Sequence, residues 1–246
     1  MKKCTVQNYT DYTAEDFQVW NILFNRQMET LQPYVSVSFL EAMEIINFKA
    51  EKIPDFKETN SILKDITGWQ LTVVPELSPA TEFFSFLAEK KFTATCWLRS
   101  LRQLDYIEEP DMFHDVFAHG PLLSNKSYAA FFEKLGTLAI QFLDDEEIIK
   151  KIQRIYWFTI EFGLIKENGE EKIYGAGIIS SKEETAHVLG STSVKKPFDI
   201  DVIMKHDFRT DILQDTYYVI ESFEQLENVL DVLENRLCRE MAIEEA

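Results

Sequence analysis

Along most of this chain the apolar residues return every three or four positions, and that period commits it to packed amphipathic helices. Over residues 14–32 the set is Phe17, Trp20, Ile22, Leu23, Phe24, Met28 and Leu31, closed by Pro33. The same reading predicts helices over 36–48, 58–66 ending at Gly68, 79–90, 127–142 and 144–164. The last opens with Asp144, Asp145, Glu146 and Glu147 at its positive dipole end. Pro110 is expected to open a further helix and Gly120-Pro121 to end it. From Ser222 onward Leu226, Leu230, Leu233 and Leu237 repeat at four-three-four spacing, a short seam expected to pack on its own domain. Residues 69–74, 92–97 and 216–220 have strand composition. Between 172 and 208 the pattern loosens, with Tyr174-Gly175-Ala176-Gly177 read as a turn or strand end and Ser180–Glu184 as a capped helix start. No linker or repeat divides the chain, so the expected fold class is mainly α with a few short β-strands, in a single domain over 1–246.

Charge narrows the partners. Twenty-five basic against 42 acidic side chains leave a net charge of −17, a field that repels nucleic acid backbones and anionic lipid heads. No uninterrupted apolar run reaches the roughly 18 residues of a membrane span, and the basic start leads into no apolar export segment. The three cysteines, Cys4, Cys96 and Cys238, are distant and odd in number, which argues against a disulfide framework or a cysteine-rich zinc site. A reducing, cytoplasmic setting is the expectation.

Two of only four histidines fall in one short segment, Pro110-Asp111-Met112-Phe113-His114-Asp115-Val116-Phe117-Ala118-His119-Gly120-Pro121. Five positions apart on a regular α-helix, their rings would point about 140° from each other. Sharing a metal therefore requires the helix to end between them, and Gly120-Pro121 is read as that end. Glu161 is the only charge in the eleven residues 155–165, and such a carboxylate is expensive to bury unless protonated, paired or bound to a cation. Two imidazoles and a carboxylate are the facial set of non-haem Fe(II), and zinc and manganese accept the same donors. The residues alone leave this open against two ordinary histidines and a structural glutamate. They also leave open a zinc hydrolase and a non-catalytic acidic interaction protein. There is no dinucleotide fingerprint, no phosphate-cradling loop and no nucleophile elbow.

Longer motifs carry a resemblance. Thr67-Gly68-Trp69, Glu109-Pro110-Asp111 leading to His114-Asp115 and His119, Ile155–Leu164, Tyr174-Gly175-Ala176-Gly177-Ile178-Ile179-Ser180-Ser181 and Tyr218-Val219-Ile220-Glu221-Ser222-Phe223 occur in order. In these the chain resembles the pterin-dependent aromatic amino acid hydroxylases, most of all the short bacterial phenylalanine 4-hydroxylases, from about Thr67 to Phe223. Residues 1–66 then read as N-terminal helices, 67–223 as the catalytic core and 224–246 as a C-terminal helix and acidic tail.

The resemblance implies Fe(II) on His114, His119 and Glu161, with tetrahydrobiopterin or a related tetrahydropterin and O₂ as co-substrates. It implies a substrate pocket of Arg99, Pro110, Asp111, Trp157 and Ser180, in which Arg99 grips the amino acid carboxylate and Asp111 holds the guanidinium. Phe83 would stack on the pterin, with Leu77, Ser78, Asp115 and Tyr156 around it. Trp157 resembles the phenylalanine and tyrosine enzymes rather than those acting on tryptophan, so phenylalanine is the expected substrate, with tyrosine or tryptophan as the alternative, and a monomer the expected state. One departure stands out: the family usually has Gly-His-Val-Pro where this chain has Ala118-His119-Gly120-Pro121.

Overall fold

Capping side chains set where the helices begin. In the computed structural model, which describes residues 3–244 and side chains as far as residue 237, α1 (Ala14–Leu31) starts on Thr13. Its hydroxyl accepts from the Asp16 N–H while the Asp16 carboxylate accepts from the Thr13 N–H. Ser36 caps α2 (Val37–Ile46) and Asp55 caps α3 (Phe56–Ile66) in the same way, by accepting from a first-turn N–H. Pro79 precedes α4 (Ala80–Ala88), Asn125 caps α5 (Lys126–Ile140) and Asp145 caps α6 (Glu146–Tyr156). These follow the periodicity closely, with ends shifted by a few residues, as fraying and caps dictate.

The strands are short. β1 (Gln70–Val73) and β2 (Lys91–Ala94) pair in parallel, Gln70 opposite Lys91. A second sheet has the order β4-β3-β6-β5. Its members are β3 (Leu164–Glu167), β4 (Glu170–Ile173), β5 (Val194–Pro197) and β6 (Thr216–Ile220). β3 and β4 form a hairpin, while β3 and β5 both run parallel to β6. Of these four only β6 was expected. The hairpin had a readable signal, Asn168-Gly169, both at positive φ, but the charges of Lys166, Glu167, Glu170, Glu171 and Lys172 hide the alternation. The helix predicted to run to about residue 164 stops at Glu161 and gives way to β3. Gly175-Ala176-Gly177 opens a short helix, α7 (Ala176–Ser180), rather than ending a strand, and Ser181 caps α8 (Lys182–Leu189). Pro110 opens no helix: it stands outside, and winding begins at Met112. A last turn, α9 (Ile200–Ile203), precedes β6.

α10 (Phe223–Glu244) lies along α5. Leu226, Leu230, Leu233 and Leu237 are at most 3% exposed within this one chain, so the leucine seam is consumed by its own fold, as expected. One continuous apolar cluster joins α1–α6, both sheets and α10 around the aromatic rings of Trp20, Trp69, Phe113, Phe117 and Phe132.

Cys4 and Cys96, 92 positions apart, are joined as a disulfide, a correction to the expectation from number and spacing. The N-terminal segment crosses back over the strand end after β2, where Tyr12 donates to the Cys96 carbonyl; sequence distance carries no information about such a crossing. The side chain of Cys238 and the end of the acidic tail lie outside the described residues. Among the described residues no helix is long and apolar enough to cross a membrane.

Candidate metal centre

His114 and His119 lie on one continuous turn, Phe113–His119, wound more widely than an α-helix. The helix does not end between them, as the α-helical period demanded. In a π-type turn, bonded from i to i+5, a five-residue step is about one full turn, so both rings emerge on the same side. Their ring centroids are 5.0 Å apart and their Nε2 atoms 3.2 Å apart. Glu161 ends a second wide turn, Trp157–Glu161, closed by the Phe162 N–H donating to the Trp157 carbonyl. Two such turns, the second continuing directly from α6, aim three side chains at one point.

The Glu161 carboxylate lies 3.2 Å from His119 Nε2 and 3.5 Å from His114 Nε2, and the three ligand atoms fall within 4.8 Å of one another. Proton positions follow from the neighbours. Ser180 Oγ donates to the Ala176 carbonyl, so it accepts from His114 Nδ1–H at 2.8 Å, which leaves the Nε2 lone pair facing the centre. Burial pushes the His114 imidazole down to about 4, toward the neutral form. Burial also raises the Glu161 carboxyl, but the imidazoles of His119 and His114 outweigh it and keep it ionised. Imidazole nitrogens and carboxylate oxygens brought this close need a cation or a shared proton between their lone pairs. The donor set fits Fe(II), zinc or manganese.

Backbone packing holds this geometry. A β-carbon at Gly175 would meet the Glu161 carbonyl oxygen at 2.5 Å and the Gly163 nitrogen at 2.6 Å, so α7 can approach the Glu161 turn, and bring Ser180 to His114, only because no side chain stands there. At Gly120 a β-carbon would clash with the Val116 carbonyl, so the turn closes where no side chain stands. Ala118 beside it is fully buried. His119 packs against Phe92, ring centroids 4.7 Å apart, and its buried Nδ1 has no partner.

The centre opens into a cavity of about 740 Å³. Every other sequence-predicted residue but one lines it: Leu77, Ser78, Phe83, Arg99, Pro110, Asp115, Tyr156, Trp157 and Ser180. The exception, Asp111, stands behind Arg99. It takes Nε–H at 2.9 Å and Nη2–H at 2.8 Å, a buried bidentate fork, and also the Arg99 backbone N–H. Among the described residues nothing accepts from Nη1. Phe83 is half-buried and meets Tyr156 edge-on, while Phe84 is almost fully buried in the core; both rings border the cavity. Asp115 accepts from the Thr95 N–H and hydroxyl, and burial pushes its carboxyl up to about 7 against those bonds. Of the lining cations, Arg26 and Lys182 share Asp105, and Arg99 is forked on Asp111.

Sequence reasoning missed Thr95, Phe92, Phe208 and Gln214. Thr95 lies within the predicted strand 92–97, just past the end of the observed β2, and was visible in principle; Phe208 and Gln214 sit in an irregular loop without a motif.

The match to known proteins is extensive. The family model for biopterin-dependent aromatic amino acid hydroxylases matches residues 2–245. Phenylalanine-4-hydroxylase of Chromobacterium violaceum is 42% identical over 216 residues, 87% of this chain and 72% of that protein. Tyrosine 3-monooxygenase of Canis lupus familiaris is 31% identical over 237 residues, 95% of this chain and 48% of that one. The crystal structure of the C. violaceum phenylalanine hydroxylase with bound iron(III) and oxidised cofactor 7,8-dihydrobiopterin superposes with a TM-score of 0.89 at 38% identity, covering 97% of this chain and 88% of the other. Wide turns, a two-histidine, one-glutamate centre and a matching chain thus agree: the protein belongs to the biopterin-dependent aromatic amino acid hydroxylase family.

Proposed function

We propose that the protein is an Fe(II)- and tetrahydropterin-dependent monooxygenase that hydroxylates L-phenylalanine to L-tyrosine with O₂. The observation that carries this reading is the convergence of His114, His119 and Glu161 at the floor of a cavity whose wall holds a buried Arg99–Asp111 fork. Iron and pterin, when bound, supply O₂ activation and the two electrons that the amino acid does not. The chain's own residues do the rest. His114, His119 and Glu161 would hold the metal where all three border the cavity. Ser180 keeps the His114 proton on Nδ1. Asp111 holds the guanidinium in one orientation, so Nη1 of Arg99 is presented to the substrate carboxylate without reorganisation. Trp157 and Pro110 border the space for the aromatic ring, and Phe83, Leu77, Ser78, Asp115 and Tyr156 border that for the pterin.

The whole chain acts as one catalytic unit and as a monomer, on small molecules, not on nucleic acid or membranes. A cytoplasmic setting accords with a reaction needing Fe(II) and a reduced pterin. The test is incubation of purified, iron-loaded protein with tetrahydropterin, O₂ and, separately, phenylalanine, tyrosine and tryptophan, with products identified by mass and chromatography. Tyrosine from phenylalanine, lost in Glu161→Ala, is expected; no tyrosine from folded, iron-loaded protein would overturn the reading.

A further inference from the structure

The wall residue Trp157 is gripped from behind. Its indole stacks flat on Phe208, centroids 4.4 Å apart and planes 14° apart, and leans on Phe162 at 4.6 Å. Stacking leaves an indole free to turn over in its own plane; a directional bond at Nε1 does not. That bond goes to Gln214 Oε1 at 2.9 Å. Gln214 is 6% exposed and fully engaged. Its amide nitrogen donates to the carbonyls of Arg209 at 3.0 Å and Ile212 at 3.2 Å, and its backbone N–H donates to Glu184, which also accepts from the Tyr217 hydroxyl. One side chain therefore ties the 208–214 loop into a fixed curl and the curl to the indole.

The loop needs that tie. Phe208, Thr210, Asp211, Ile212 and Leu213 all line the cavity, yet Ile212 and Leu213 are 51% and 42% exposed, so apolar burial does not fix the loop's shape. We propose that Gln214 is a positioning residue for ring selectivity: by holding both the Trp157 indole and the 208–214 loop, it sets the size of aromatic ring the cavity admits and disfavours indole against phenyl. This inference rests on the amino acid hydroxylase reading. Gln214 touches no reacting atom, so its removal should act on substrate binding and choice before turnover.

The experiment compares Gln214→Met, which keeps length but loses the acceptor, with Gln214→Glu, which keeps an acceptor for the indole. Each is made in the wild-type protein and in Trp157→Phe, with thermal unfolding to verify folding. kcat and KM for phenylalanine and tryptophan are measured on iron-loaded enzyme. Dissociation constants for both are measured by calorimetry on the Co(II)-loaded protein without pterin. Gln214→Met is expected to raise the phenylalanine KM more than it lowers kcat, and to shrink the phenylalanine-to-tryptophan preference about fivefold, the worth of one buried hydrogen bond. Gln214→Glu keeps the acceptor for the indole but loses the donor to the Arg209 and Ile212 carbonyls, so it is expected to lose less of the preference than Gln214→Met, and Gln214→Met is expected to cost less in Trp157→Phe than in the wild type. A preference unchanged in Gln214→Met, an equal loss in both variants, or an equal loss without the indole overturns the proposal. If the wild type hydroxylates neither amino acid, the functional reading falls, and the ratio of dissociation constants still decides the role of Gln214.

Discussion

Ser180 is where a single hydroxyl has the widest reach. It donates to the Ala176 carbonyl and receives the His114 Nδ1 proton, so one side chain sets both the tautomer and the tilt of a metal-facing ring. Ser180→Ala is expected to lower metal affinity by roughly 10–100-fold, the usual effect of removing such a support. Competition with a chelator of known affinity checks this; unchanged affinity would show the ring is held by packing alone. His119 lacks such a partner, its Nδ1 being buried and unbonded, and is instead sandwiched between Phe92 and Tyr156. The chemistry of these residues could be read from their types. That one histidine is steered by a hydroxyl and the other by aromatic rings could not, because Ser180 is 66 positions from His114.

Among the elements, the wide turns Phe113–His119 and Trp157–Glu161 position the site, and they are where periodic reasoning misled. The five-residue spacing looks wrong on an α-helix, and a helix break seemed necessary; the extra residue per turn resolves it without a break. Nothing in Phe113–His119 distinguishes a π-turn from an α-turn locally, since its register is imposed by the neighbours against which it packs. α10 shows the opposite case, since its leucine spacing was legible and the structure shows the seam filled by this chain. Leu230→Ala is expected to destabilise the protein by about 2–5 kcal/mol in denaturant unfolding, with the monomer mass unchanged by light scattering. A negligible loss coupled to dissociation of a dimer would instead place the seam between two copies.

At the scale of the whole molecule, the three clustered donors would link folding to metal. Fe(II) or Co(II) at a hundredfold excess over its dissociation constant is expected to stabilise the fold by about 2.7 kcal/mol. For a chain of this length that raises the unfolding midpoint by about 5–10 °C. Differential scanning calorimetry with and without chelator measures it, and no shift would mean that the donors do not bind metal in the folded state. Helical periodicity, charge balance and the isolation of Glu161 in an uncharged run were properties of the sequence, because each depends on neighbours within a few residues. So was the expectation that His114, His119 and Glu161 form one cluster, through motifs long enough to resemble a family, and the structure brings the three together. The disulfide between Cys4 and Cys96, the parallel pairing of β3 and β5 with β6, and the grip of Gln214 on Trp157 were decided only by tertiary structure. Each joins segments whose separation along the chain holds no record of their distance in space, and each is fixed by the packing of everything between them.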